Sequence, residues 1–353
     1  MRVYYSLFVL CLIVGCANII PPSGGSKDVD PPKLLATNVS NGSINFSGNK
    51  FTFEFDERIK TKNLVSEFYL SPPSNNSIEH TLKGERLQIT LAEELSENTT
   101  YTLSLGNSIL DLNEGNPLAP FSIHFSTGAF LDSLSLKGTV KDALANEPKK
   151  DIWILLYIYS VENDSLLFKQ KANYITKTNN DGSFHFQNLK QGIYVVYALE
   201  DLDNNLKFSL PSESVGFKLE PIHIPIDTTE ELLIHTFLEN YKEDSIVLLK
   251  RDSLQNYGFL KVDSIPEGEM LVELLSKGKV VFQKAKCNGS FSIDSLNVGT
   301  YKLRLINDIN QNGKWDSGKI IDKIQPEDVY HYSKEIQIRA NWDVLLNWRD
   351  AIE

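Results

Sequence analysis

Cysteine, histidine and basic residues are all scarce in this chain of 353 residues, and each scarcity closes off a class of function. The three cysteines are Cys11, Cys16 and Cys287; two lie in the N-terminal segment, so the body holds one thiol and no internal disulfide. Cys287, in QKAKCNGSF, has no neighbouring histidine to activate it and reads as an ordinary thiol between a strand and a turn. The histidines, His80, His124, His185, His223, His235 and His331, are dispersed and give no HExxH or similar ligand spacing. No G-x-S-x-G elbow, P-loop or dinucleotide fingerprint occurs. Adjacent acids such as Asp56 and Glu57 would point to opposite faces of a strand and could not share a glycosidase site. Lys and Arg number 35 against 46 Asp and Glu, a formal net charge of −11. The basic residues are scattered, which excludes the clustered positive face that nucleic acid needs. No stretch carries sustained helical periodicity. The expectation is a protein without catalytic residues and without an organic cofactor.

One apolar stretch stands out, Leu7 to Val14, and it stops at a cysteine within LIVGCANIIPPSGGSKDVDPP. It is too short for the roughly 20 residues of a membrane-spanning helix. Its length and the positive start at Arg2 suit the apolar region of a secretion signal. Ile13-Val14-Gly15-Cys16 resembles a bacterial lipobox. That resemblance implies cleavage before Cys16, leaving residues 1–15 as signal peptide, and a diacylglycerol on the thiol, with acyl chains such as palmitate. Each buried methylene contributes about 0.8 kcal/mol, so two or three chains anchor stably. Residues 16–32 then form the lipidated cysteine and a tether, kept extended by Pro21-Pro22 and Pro31-Pro32 and flexible by Ser23-Gly24-Gly25-Ser26. The implied location is the outer membrane of a Bacteroidota-type cell, held through lipid. Surface-exported lipoproteins of that group carry acids directly after the cysteine. Here Ala17, Asn18, Ile19 and Ile20 follow it and the first acid is Asp28, which favours the periplasmic face.

Beyond the tether the chain reads as all-β. In KFTFEFDE, Phe51, Phe53 and Phe55 share one face; Tyr101, Leu103 and Leu105 repeat the pattern, as do Phe121, Ile123 and Phe125. Short period-two segments separated by Asn, Gly and Pro clusters predict a β-sandwich over 33–128. PPKLLATNVSNGS, FTFEFDERI, LSENTTYTLSLGNSILDLNEGNPL and FSIHFSTG together resemble the bacterial Ig-like family of the S-layer SbsA type. The resemblance implies a spacer or binding module with no family active site.

The remainder repeats itself. NNDGSFHFQNLKQGIYVVYALEDLDNN aligns without gaps to KCNGSFSIDSLNVGTYKLRLINDINQN. Gly182 pairs with Gly289, Phe184 with Phe291, Gly192 with Gly299, Tyr194 with Tyr301 and Asp201 with Asp308. One repeat per domain length predicts two similar units, placed at 129–226 and 227–353, with the boundary in the proline-containing EPIHIPIDTTEELL. Parity puts Tyr301, Leu303 and Leu305 inward, Lys302 and Arg304 outward. DGSFHFQNLKQGIY resembles prealbumin-like or carboxypeptidase-regulatory-like sandwiches, which accompany enzymes and receptors without being catalytic. EIQIRANWDVLLNW reads as a final strand, with Trp342 and Trp348 as core caps.

Two local signals point to chemistry. In DINQNGKWDSGK, Asp308, Asn310, Asn312 and Asp316 fall at the first, third, fifth and ninth positions of a calcium loop, Gly313 sits at the sixth, and Lys314 can offer its carbonyl. The twelfth position is Lys319 where a bidentate acid is needed, so a hydrogen-bonded turn is the competing reading. The earlier copy has Asp201, Asp203 and Asn205 but Leu206 in place of glycine. The second signal is Asp-Ser/Thr followed by an aliphatic residue or Thr, found seven times, all after the first domain. It resembles a Bacteroidota O-glycosylation acceptor motif, which implies Ser133, Ser165, Thr228, Ser245, Ser253, Ser264 and Ser295 as candidates. The bland alternative is that Asp-Ser opens strands. The sequence therefore predicts a non-catalytic envelope lipoprotein that contacts a protein or glycan partner, structural or adhesive in task. The alternative is a glycan-binding accessory protein presenting Trp153, Trp315 or tyrosines on a sandwich face.

Overall fold

The computed structural model describes residues 27–73, 78–119, 121–159, 166–225, 231–242 and 257–351. Almost every element in them is a β-strand, arranged as three successive sandwiches. The helices α1 (Leu64–Glu67) and α2 (Leu166–Lys169) are single turns, and no described helix is long and apolar enough to cross a membrane.

The first module contains β1 (Leu34–Thr37), β2 (Lys50–Phe55), β3 (Ile59–Thr61), β4 (Tyr69–Ser71), β5 (Ile78–Lys83), β6 (Arg86–Leu91), β7 (Thr100–Ser104), β8 (Ile109–Asp111) and β9 (Ser122–Ser126). One sheet has the order β1-β2-β6-β5 and another β4-β7-β9, with β3 and β8 paired beside them. The period-two pattern lands as expected: Phe51, Phe53, Leu103 and Phe125 are fully enclosed in one core. Phe46, Phe51, Tyr101 and Phe125 form its aromatic centre, with neighbouring ring centroids 5.0–5.8 Å apart.

The second module comprises β10 (Leu134–Asp142), β11 (Trp153–Ile158), β12 (Tyr174–Lys177), β13 (Ser183–Leu189), β14 (Gly192–Leu199), β15 (Val215–Phe217), β16 (Ile222–Ile224) and β17 (Leu232–Thr236). The third follows as β18 (Gly258–Asp263), β19 (Met270–Ser276), β20 (Lys279–Cys287), β21 (Ser290–Leu296), β22 (Gly299–Asn307), β23 (Val329–His331), β24 (Ile336–Ile338) and β25 (Asp343–Asn347). Their sheets match: β13-β10-β17 with β12-β11-β14-β15, and β21-β18-β25 with β20-β19-β22-β23. The repeated Gly-x-Tyr acquires a reason. The hydroxyl of Tyr194 donates to the Lys190 carbonyl at 2.9 Å, and that of Tyr301 to the Asn297 carbonyl at 2.8 Å. Each ring folds back over its glycine; a Cβ would meet it at 3.2 Å at Gly192 and 3.5 Å at Gly299.

Three expectations change. The boundary placed at residue 227 falls inside the second module, because β17 pairs with β10 over Gly138–Asp142 and closes that unit. The prolines there mark a loop between two strands of one unit, and the third module begins at β18. The closing segment is two strands, β24 on β22 and β25 on β18. Of its tryptophans, Trp348 is buried in the core while Trp342 stands 61% exposed.

The third change concerns Arg304. Parity is right, but the outward face meets the second module instead of water. Trp153, Leu155, Tyr157, Leu199, Val215, Phe217 and Phe237 share one buried cluster with Leu271, Ile306, Trp315 and Ile320 of the third module. At its edge the Arg304 Nε donates to Glu273 Oε2 at 2.5 Å, Gln283 donates to Glu273 Oε1, and an Arg304 Nη donates to the Leu144 carbonyl of the second module. Their side chains are only 10% and 1% exposed. Removing one partner leaves a buried charge unpaired, which costs about 3–5 kcal/mol, whereas replacing both with apolar groups is often near neutral. Glu273→Ala is therefore expected to destabilise strongly, and the double variant Glu273→Leu, Arg304→Met far less. Urea unfolding reads the difference; equal losses would remove this account of the pair.

Candidate functional site

The two repeat units carry the same acidic loop after their fifth strand. In the third module Asp308, only 2% exposed, accepts the backbone N–H groups of Asn312 and Gly313 at 3.0 and 2.8 Å. In the second, Asp201 accepts those of Asn205 and Leu206 at 3.2 and 2.9 Å. The glycine position works in both copies: Gly313 has φ 74° and Leu206 adopts φ 55°. The left-handed backbone is disfavoured for a side chain such as leucine, and the Asp201 bonds hold it there.

Each loop also has a brace that no twelve-residue pattern contains. Glu327 accepts the N–H of Ile309 and of Asp316, at 2.9 and 3.1 Å. Glu213, fully enclosed, accepts those of Leu202, Ser209 and Leu210, at 3.1, 2.9 and 3.0 Å. Ile309 and Leu202 are equivalent residues, so the two glutamates clamp the same point of the turn. In both copies an acid from further along the chain thus fastens the turn by its backbone. Its signal lay in comparing the copies, since each has an acid downstream of the Asp/Asn ladder.

The third-module candidates come together through hydrogen bonds. Asp316 Oδ2 accepts from both Asn310 and Asn312 side-chain amides, and Lys314 donates its N–H to Asn312 Oδ1. In the second module one oxygen each from Asp201, Asp203 and Glu213 lie within 4.8 Å of one another, an arrangement of hard ligands suited to a divalent cation. Burial, and then the nearby Asp203, push the Asp201 carboxyl above its ordinary range. Burial does the same to Glu327, helped by Asp316 and Asp308. The loop marked weaker by sequence thus holds the tighter acid cluster, because Glu213 is part of it.

Two clefts open to solvent lie at the joint between the first two modules. One, of about 300 Å³, lies between Tyr69, Leu70 and Ile78 of the first module and Trp153, Lys171 and Asp201 of the second. The other, of about 210 Å³, is polar, lined by Ser71, Thr102, His124, Lys177, His185 and Gln187 among others. Ile175 donates its N–H to Ser71 Oγ at 2.9 Å across the joint, and the Lys177 ammonium lies 3.8 Å from Glu67 and over the Trp153 ring. Trp153 and Trp315 are 6% and 8% exposed, spent on packing against Tyr69 and Tyr241. Neither offers a face to a sugar.

Of the modification candidates, Ser133 is exposed just before β10, Ser264 is half-buried just after β18, and Ser295 is exposed on β21. Ser264 and Ser295 have φ 62° and 63°; Ser295 sits where the β18–β21 register shifts, matching Asn188 at φ 58° in the second module. Asp-Ser thus shapes turns and bulges at these sites. Ser165, Thr228, Ser245, Ser253 and Cys16 lie outside the described residues.

Serial β-sandwiches headed by an Ig-like unit place this chain among all-β proteins built of tandem domains. More particularly, residues 28–127 match the bacterial Ig-like domain family and form such a domain. No curated protein matches the chain. Among solved structures it is similar to the N-terminal part of the bacterial S-layer protein SbsC, at 12% identity and TM-score 0.20, over 58% of this chain and 43% of that one. It is also similar to BcpA, the major pilin subunit of Bacillus cereus, at 11% identity and TM-score 0.21, over 59% and 70%. A third is GBS52, the minor pilin of Streptococcus agalactiae, at 16% identity and TM-score 0.19, over 61% and 94%. The chain thus spans less than half of the SbsC fragment. Superpositions this loose carry no argument here.

Two outcomes follow from the site. Calcium binding only to the folded chain raises its melting temperature with concentration; the Asp201, Asp203 and Glu213 cluster predicts such a rise, abolished in Asp203→Asn. A wild-type melting temperature indifferent to millimolar calcium would reduce the loop to a hydrogen-bonded turn. The second outcome concerns pH. Burial lowers the pKa of His124 at the first joint and of His331, which bonds the Leu144 carbonyl at 3.1 Å at the second. A histidine with a depressed folded pKa takes its proton more readily when unfolded. Its contribution is complete above about pH 6.5 and is lost as pH falls through the folded value. Thermal melts should therefore weaken from pH 7.5 to 5, and His331→Gln should shrink that drop.

Proposed function

We propose that the chain is a non-catalytic, lipid-anchored component of a bacterial cell envelope, structural or adhesive in task and acting through protein contact. The observation that carries this reading is the employment of its buried acids. Asp111 accepts the N–H groups of Glu114, Gly115 and Asn116, and Glu213, Asp308 and Glu327 accept those of their own loops. Backbone bonding holds the Asp111 carboxyl below its ordinary range against the opposing effect of burial. Carboxylates committed in this way brace turns and are poorly placed to pass protons to a substrate. The glycan-holding alternative loses Trp153 and Trp315, and of the rings it named it keeps exposed tyrosines such as Tyr159 and Tyr330.

Anchoring rests on the lipobox-like segment alone and is tested there. Cys16→Ala should abolish incorporation of a labelled palmitate and move the protein from the membrane to the soluble fraction. A variant that still sediments with membranes would overturn the anchor. Protease added to intact and lysed cells of the native host then reports the membrane face. Protection until lysis is the expected result, and digestion on intact cells would move the protein to the surface.

A further inference from the structure

In the second and third modules the first and last strands lie side by side and run parallel; in the first, the opening strand β1 pairs antiparallel with β2, and a shorter parallel contact is made by the segment that follows β1. Phe259–Asp263 of β18 pairs in parallel with Asp343–Asn347 of β25, and Gly138–Asp142 of β10 with Leu232–Thr236 of β17. In the first module the segment 42–46 runs parallel to 124–128: Gly42 donates to the His124 carbonyl, Ser126 to that of Ser43, Phe46 to that of Ser126 and Asn45 to that of Gly128.

This arrangement decides how a pulled chain fails. Tension applied through the two chain ends enters a module at the start of its first strand and leaves at the end of its last. If those strands were antiparallel neighbours, both loaded points would sit at the same end of the ladder, and its bonds would open one at a time. In a parallel pair the loaded points sit at opposite ends. The evenly spaced bonds of the ladder are then loaded along its length and must fail together. Forced unfolding is governed by that barrier and not by equilibrium stability. The ladder is also shielded on one face: Leu260 and Val262 of β18 are fully enclosed, and Val344 and Leu346 of β25 pack on the same core.

We infer that the protein is a tension-bearing element in which the second and third modules are each closed by a parallel clamp loaded in shear. The inference rests on the structural reading above and adds to it the direction of load. It is tested by pulling one module of the full chain in two directions. Handles on cysteines at Tyr257→Cys and Arg349→Cys load the β18–β25 ladder in shear, whereas handles at Tyr257→Cys and Trp342→Cys unzip it. Arg349 and Trp342 are exposed, and the native Cys287 is buried and stays in place. The rupture force should be several times higher in shear, while chemical denaturation gives the two variants similar stability. Equal forces in both directions, or a higher unzipping force, would overturn the inference. That result would leave the structural reading standing, since loss of membrane association and envelope location are read separately.

Discussion

Trp153, Leu155 and Tyr157 on one face of β11 belong to the same buried cluster as Leu271, Ile306 and Trp315 of the following module, and the remaining architecture depends on that shared layer. Burying a large apolar side chain contributes about 1.5–3 kcal/mol. Separating the two modules would return Leu271, Ile306, Trp315 and the residues they cover on the second module to water. The layer also takes the Glu273–Arg304 pair out of solvent, which costs both charges their hydration and makes their mutual bond hard to break one partner at a time. The second and third modules therefore form one packed body. The first is joined to it differently, through hydroxyls, an imidazole and a lysine around a polar cleft.

Turn geometry here is set largely by carboxylates. Asp111, Asp201 and Asp308 each fold a loop by collecting two or more backbone N–H groups, and Glu213 and Glu327 fasten the same loops from outside. Buried N–H groups need partners, and an ionised carboxylate supplies two oxygens that accept charge-assisted bonds. This explains how Leu206 is held in a backbone region that normally asks for glycine.

Closure of the second and third modules by parallel first and last strands links topology to chain direction. A parallel neighbour cannot be reached by a hairpin, so the chain must complete the whole sandwich before its last strand docks. The repeat is therefore closed only when β17 or β25 arrives. That is the physical reason the boundary lies after Thr236, beyond the proline-containing loop.

The core faces were legible from residues alone. Phe51, Phe53 and Phe55, and Tyr301, Leu303 and Leu305, show alternation that a one-sided sheet imposes. The repeat itself was legible through Gly-x-Tyr, whose spacing is fixed by a ring folding over its own glycine. Less visible were the continuous runs WILLY and MLVELL, which are buried on both sides because a second module covers them. The partners of a carboxylate were not legible, since Glu327 meets Asp308's loop from the far side of the Lys319–Ile324 turn, with no strand between them to set the spacing. Sequence by itself determined which residues face a core and that two units repeat, because side-chain period is local. Tertiary structure alone decided where the units join, which acids brace which turns, and that Arg304 is enclosed, because those depend on surfaces brought together from distant parts of the chain.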